Sequence, residues 1–177
     1  LMNTTQPIVS RTYAGQLGRI ISRRVAMSFR DCSIPLAEVR SRYQDSSEGP
    51  GDEFYSITVY TSARYITEAT SVLSSVLSSL DGSGAAMSEF KDSKGKVIAE
   101  FRREGAASSV SNADYTDKCI SSYLYGSNLA SAPTVSDFVT SRKMPEDRGL
   151  ELFNGFVKAL LDSSRNMNLQ NDPPGKA

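Results

Sequence analysis

The sequence predicts an α+β fold: a small antiparallel sheet of β-α-β-β order, with a helical N-terminal arm before it and a helical C-terminal part after it. Three observations carry this. Apolar residues recur at helical spacing from Val9 to Phe29 and again from Ile66 to Leu80. The run "EFYSITVYT", residues 53–61, concentrates the aromatic and β-branched residues that suit a strand. The run "MSEFKDSKGKVIAEFRRE", residues 87–104, sets two strand-like pieces around "DSKG", a turn sequence, and reads as a hairpin.

Taken in order, Val9, Tyr13, Leu17, Ile21, Val25 and Phe29 step by four. Gly15 and Gly18 lie inside this helix, where each costs about 1 kcal/mol relative to Ala or marks a close backbone contact. At about 100° per residue, Arg19, Arg23 and Arg30 fall together, opposite Ile21. The helix is therefore amphipathic with a basic outer face. Through Gln44 the chain holds seven arginines against Asp31 and Glu38, an excess of five positive charges. Pro35 separates this helix from the rest of "PLAEVRSRY", residues 35–43, which reads as a short second helical piece. "QDSSEGPGDE", residues 44–53, is polar and acidic and contains Gly-Pro-Gly, the composition of a linker. These shifts divide the chain into a basic helical arm (1–44), a loop (45–53), an α+β core (54–165) and a flexible tail (166–177).

After the strand, Ile66, Ala69, Leu73, Val76, Leu77 and Leu80 form one apolar stripe. The other side of that helix is serine: Ser71, Ser74, Ser75, Ser78 and Ser79. An ordinary solvent face would carry Glu and Lys, and a small uncharged face permits close approach by another element or subunit. "DGSG", residues 81–84, ends the helix. Ser111 and Asp114 have capping-box spacing before "YTDKCISSYLYG". Pro133-Thr134 opens a short helix bearing Phe138 and Val139. Pro145, followed by Glu146 and Asp147, suits the first turn of a helix whose apolar face is Leu150, Phe153, Val157, Leu160 and Leu161.

The totals exclude more than they identify. With 177 residues the chain can bury one core. A formal net charge of zero gives no global field to attract nucleic acid or anionic lipid. No apolar run approaches the roughly 20 residues that span a bilayer, and no secretory leader pattern opens the chain. The absence of histidine removes Ser-His-Asp and Cys-His catalysis and His-ligated zinc or haem. Cys32 and Cys119 can form at most one bridge and cannot complete a four-cysteine zinc site. Carboxylate, lysine or tyrosine chemistry stays open. The glycines match neither a P-loop nor a dinucleotide fingerprint.

Three groups of candidates remain. Arg11, Arg19, Arg23, Arg24 and Arg30 suit a partner's acidic surface or phosphate, because guanidinium forks match such oxygens; the plainer alternative is a solvated face, or salt bridges within the fold. Cys32 and Cys119 are candidate reactive thiols or attachment points for a prosthetic group, against the alternatives of idle cysteines or one bridge. Ser71, Ser75, Ser78, Tyr115 and Tyr123 are candidate interface residues, against ordinary packing at the edge of the core. Without a catalytic constellation, the expected function is that of a non-enzymatic structural or assembly subunit, such as a coat, linker or scaffold component. Its expected partners are other protein subunits, with no cofactor and no metal. The alternatives are a nucleic-acid-binding or RNA-packaging protein using the arginine face, and a small protein carrying a Cys-linked cofactor.

Overall fold

The computed structural model of the chain describes residues 6–44, 54–107, 111–125 and 129–162. The predicted loop at 45–53 and tail at 166–177 lie outside the described residues. The fold is α+β, with helices at both ends and a two-stranded antiparallel sheet near the N-terminus. Helix α1 (Gln6–Asp31) is followed by strands β1 (Leu36–Gln44) and β2 (Phe54–Thr61) and one 3-10 turn (Ala63–Tyr65). Helices α2 (Ile66–Ser83), α3 (Met87–Ala107), α4 (Asn112–Tyr125), α5 (Ala132–Ser141) and α6 (Glu146–Leu161) complete it.

Helix α1 is not an arm. Its step-by-four row is fully buried at Leu17, Ile21, Val25 and Phe29, and it packs against β1, α2, α3 and α6. Around it gather Ala69, Val76 and Leu80 of α2, Phe90 of α3, and Phe153 and Val157 of α6. Aromatic edges bind the far side: the Tyr13 ring meets Phe153 and Phe156, each at 5.7 Å between centroids, and Tyr43 of β1 meets Phe156 at 6.5 Å. A long amphipathic helix at the N-terminus thus serves as the central post of the core.

Two elements differ from the sequence expectation. Residues 36–44 form a strand, not a second helix. The segment alternates, with Glu38, Arg40 and Arg42 on one face and Val39, Ser41 and Tyr43 on the other, a period of two. It pairs in register with β2, Val39 opposite Val59, Ser41 opposite Ile57 and Tyr43 opposite Tyr55. That face covers α1, while outside it Arg40 bridges Glu38 at 2.8 Å and stacks over the Tyr60 ring at 5.2 Å. Residues 87–107 form one helix, not a hairpin. Phe90, Ser93, Val97 and Phe101 are its buried row, at spacings of three, four and four. Gly95, taken as a turn residue, sits on the exposed side with nothing within 4 Å of an added Cβ, so the helix tolerates it. The sheet therefore contains only β1 and β2 rather than a β-α-β-β unit.

The other elements match. Helix α2 buries Ala69, Val76 and Leu80 and ends at Gly84, whose φ of 70° favours glycine. Helix α5 starts at Ser131, whose hydroxyl accepts from the Thr134 amide, with Pro133 in its first turn. Helix α6 begins one residue after Pro145, with Glu146 and Asp147 at its positive end. Among the described residues no helix is long and apolar enough to cross a membrane.

Gly18 explains how closely the ribbon lies on α1. A Cβ there would stand 2.0 Å from Ser41 Oγ and 3.0 Å from Ser41 Cβ. Overpacking of that kind costs typically about 1–3 kcal/mol, more than the roughly 1 kcal/mol of helix propensity that Ala regains. Gly18→Ala is therefore expected to lower stability, while Gly95→Ala raises it by up to about 1 kcal/mol, both read from urea unfolding midpoints. A second test concerns Gln16, which is 2% exposed and whose Oε1 meets no donor. An unsatisfied buried acceptor costs about 1–3 kcal/mol, so Gln16→Met is expected to raise the melting temperature.

Candidate functional site

The arginines of α1 face α3, and the two helices run antiparallel. Arg24 meets Glu89, Arg23 meets Asp92 and Arg19 meets Glu100, at 2.7, 3.6 and 2.6 Å. Position falls along α1 as it rises along α3. The Arg24–Glu89 pair is bidentate, with Nε at 2.8 Å from Oε1 and Nη2 at 2.7 Å from Oε2. Arg24 also donates to Ser79 Oγ and to the Gly84 carbonyl, each at 3.2 Å. The Arg24 hydrogen bonds hold the Glu89 carboxyl below its ordinary range against the opposing effect of burial, and the Ala86 amide adds to them. Arg30 lies beside Asp31 at 3.4 Å, and the Arg11 guanidinium sits 5.9 Å from the centre of the Phe101 ring.

The predicted partner- or phosphate-binding face is thus engaged within the chain. A groove of about 490 Å³ between α1 and α3 is lined by Arg19, Arg23 and Lys96 and equally by Glu89, Asp92 and Glu100. Three cations against three anions leave no net charge to draw a phosphate. At the neighbouring seam, burial pushes the Tyr55 phenol up to about 12, against a hydrogen bond with Ser41. Its hydroxyl stays protonated near neutral pH and points at the Ala14 carbonyl, 3.5 Å away.

The cysteines are separate, free and exposed, Cys32 just beyond α1 and Cys119 on α4, so the optional bridge is not formed. The serine side of α2 is open, with Ser71, Ser74, Ser75, Ser78 and Ser79 all exposed and Ser79 held by Arg24. Among the described residues no group of three His, Cys, Asp or Glu is placed to hold a metal.

Helix α4 is different from the other helices. It has no buried residue and no extended packing against any other described element. Its start is held locally: the Ser111 amide and hydroxyl donate to Asp114 Oδ2 at 3.1 and 2.7 Å, and the Asp114 amide donates to Ser111 Oγ at 3.2 Å. At about 100° per residue, Tyr115, Cys119, Tyr123, Thr116, Ile120 and Leu124 cover one half of its circumference. All six are exposed, Tyr123 by 89% and Tyr115, Ile120 and Leu124 by at least half. The half-buried residues are Lys118, Ser121 and Ser122, on the polar half. This helix turns its apolar side outward, the reverse of α1, α2, α3 and α6.

Tyr115 and Tyr123 therefore come together with Cys119 on one surface, while Ser71, Ser75 and Ser78 stand on a different helix. Sequence reasoning missed Ile120 and Leu124. Their signal was present, since they sit four apart beside the Tyr115–Cys119–Tyr123 row. Compared with known proteins, the chain matches no family model, no curated protein and no solved structure.

The Arg24–Glu89 pair sets a pH dependence. A depressed Glu89 pKa contributes stability that is complete above its ordinary value of 4.5 and is lost as pH falls through the lower folded value. Glu89→Gln is expected to cost about 1–3 kcal/mol at neutral pH, as for hydrogen bonds to a charged group. Its deficit should shrink at acid pH, so melting temperatures of the two proteins, followed downward from neutrality, converge below pH 4.5.

Proposed function

We propose that this chain is a non-enzymatic structural subunit of a larger protein assembly, and that α4 is the surface by which it joins. The observation that carries this is the outward apolar half of α4. Exposed apolar surface costs about 25 cal/mol per Å² relative to burial, and contiguous patches of it mark interaction sites. A helix of fourteen residues is marginal in water by itself. Helix α4 relies on its capping box, and a partner covering Tyr115, Ile120, Tyr123 and Leu124 would supply the tertiary packing that the other helices receive internally. Tyrosine suits such a surface because it adds contact area at small entropic cost.

The nucleic-acid reading lacks comparable support. Phosphate would have to displace Glu89, Asp92 and Glu100 from their arginines, and the groove between those helices is electrically balanced. For the Cys-linked cofactor reading, exposure of the two thiols is the sole support.

The test is light scattering after size exclusion on material gently isolated from the cells of origin, for the native chain and for Tyr123→Asp with Leu124→Asp. The native chain is expected to elute in a particle well above 19.2 kDa, and the variant to leave it. Both substituted side chains are more than half exposed, so the variant should keep its melting temperature. A native chain at 19.2 kDa, or a variant retained in the particle, overturns the reading.

A further inference from the structure

We propose that β2 pairs antiparallel with β2 of a second copy of this chain, in a register centred on Ile57, joining the two ribbons into one continuous sheet. This contact lies apart from α4 and does not rest on the reading of α4 as the joining surface.

The first reason is the unpaired edge. Among the described residues β2 pairs with β1 on one side and has no extended packing against any other element. An edge strand leaves alternate N–H and C=O groups directed away from its neighbour, and another extended strand is what matches that row. The two strands of the ribbon differ in how they are protected. β1 carries Glu38, Arg40 and Arg42 and a register shift between Leu36 and Glu38, the charges and irregularity that discourage further pairing. β2, "FYSITVYT", runs eight residues with no charge, no proline and no glycine, and it stays consecutive throughout the register.

The second reason is the order of the side chains along β2, which argues for β2 itself as the occupant. Reversal about a residue is open to any strand, but here it returns the same chemistry. About Ile57, Phe54 stands opposite Tyr60 and Ser56 opposite Thr58 on the outer face of the sheet. On the inner face Tyr55 stands opposite Val59, and Ile57 opposite its own copy. These are aromatic–aromatic, hydroxyl–hydroxyl, aromatic–β-branched and β-branched pairs, the classes that stabilise neighbouring antiparallel strands. Recentring on Thr58 spoils the match: Ser56 then faces Tyr60, Tyr55 faces Thr61, and Phe54 falls beyond the end of the partner strand. A two-fold axis through Ile57 therefore gives a closed contact in which one edge complements itself.

The third reason is the position of the edge. Helix α1 packs beneath β1 and makes no comparable backbone approach to β2, so β2 stands out past it. Ile57 and Val59 belong to the face that packs on the core, yet both are only half-buried. Continuing the sheet sets the same residues of the second copy beside them. Phe54 and Tyr60, each 43% exposed, would cover one another across the new ladder.

The test uses the purified full-length chain and light scattering over a range of concentrations. The native mass is expected to climb from 19.2 kDa toward twice that value. Ser56 and Thr58 stand opposite Arg42 and Arg40 within the ribbon, so acidic side chains at both places suit the single chain. Across the proposed axis the same two carboxylates would face each other twice. Ser56→Glu with Thr58→Glu is therefore expected to hold the mass at 19.2 kDa without lowering the melting temperature. Ser56→Glu with Thr58→Lys would set opposite charges across the axis and is expected to dimerise. A native chain that stays at 19.2 kDa at the highest soluble concentration overturns the proposal. So does a double-Glu variant that dimerises as the native chain does, or a Glu/Lys variant that is folded and monomeric. Tyr123→Asp with Leu124→Asp should leave this dimer intact, and its loss in that variant would assign the contact to α4 instead of β2. Failure here leaves the α4 reading untouched, because that reading is judged by release from the native particle.

Discussion

The bidentate pair between Arg24 and Glu89 is the point from which the rest of the structure is arranged. Arg24 projects from the central helix and reaches three places at once: the Glu89 carboxylate on α3, the Ser79 hydroxyl on α2 and the Gly84 carbonyl between them. The same turn is held from the other side by Asn154 of α6. Its Oδ1 accepts from the Ala85 amide at 2.9 Å and its Nδ2 donates to the Ala85 carbonyl at 3.4 Å. The Ala86 amide is taken by Glu89. Four helices thus meet at residues 84–86, where the chain reverses with Gly84 at positive φ, and the polar groups named there have partners. Removing either charge would leave the other half-buried without its counter-ion, which is the costly direction for such a pair.

Three arginines of the basic helix are answered by Glu89, Asp92 and Glu100 of α3, in an order that matches an antiparallel approach. The three pairs differ in worth. Arg24–Glu89 is the most enclosed, with both side chains about four-fifths covered, whereas Arg23–Asp92 is longer and open to solvent. Exposed pairs contribute little each, so most of the binding between α1 and α3 comes from the apolar row Phe90, Val97 and Phe101 and from the close approach of Val97 to Gly15. The charges set register and direction more than strength.

Helix α4 obeys a different logic. The buried helices spend their apolar stripes on each other, and α4 does not. Its order comes from a local cap, and its apolar half is left facing outward. Among the described residues its apolar half stays exposed, while the stripes of α1, α2, α3 and α6 are covered.

Much of this was determined by sequence alone. The rows of α1, α2 and α6, the strand β2 and the caps at Ser111 and ahead of Pro133 are local signals, set by neighbours within a few residues. The candidate interface tyrosines were legible too, because three positions four apart on one helix share a face wherever that helix sits. What tertiary structure decided is what no neighbour specifies. Residues 36–44 alternate like a strand but become one only because β2 lies alongside with hydrogen bonds to share, and Gly18 admits the ribbon onto α1. Residues 87–104 held both a turn sequence and a helical row. The helix prevailed because Phe90, Val97 and Phe101 find α1 and its surroundings on a single side. Whether an arginine face meets water, phosphate or a carboxylate depends on what stands across from it, and here that is a helix more than sixty residues away in the chain.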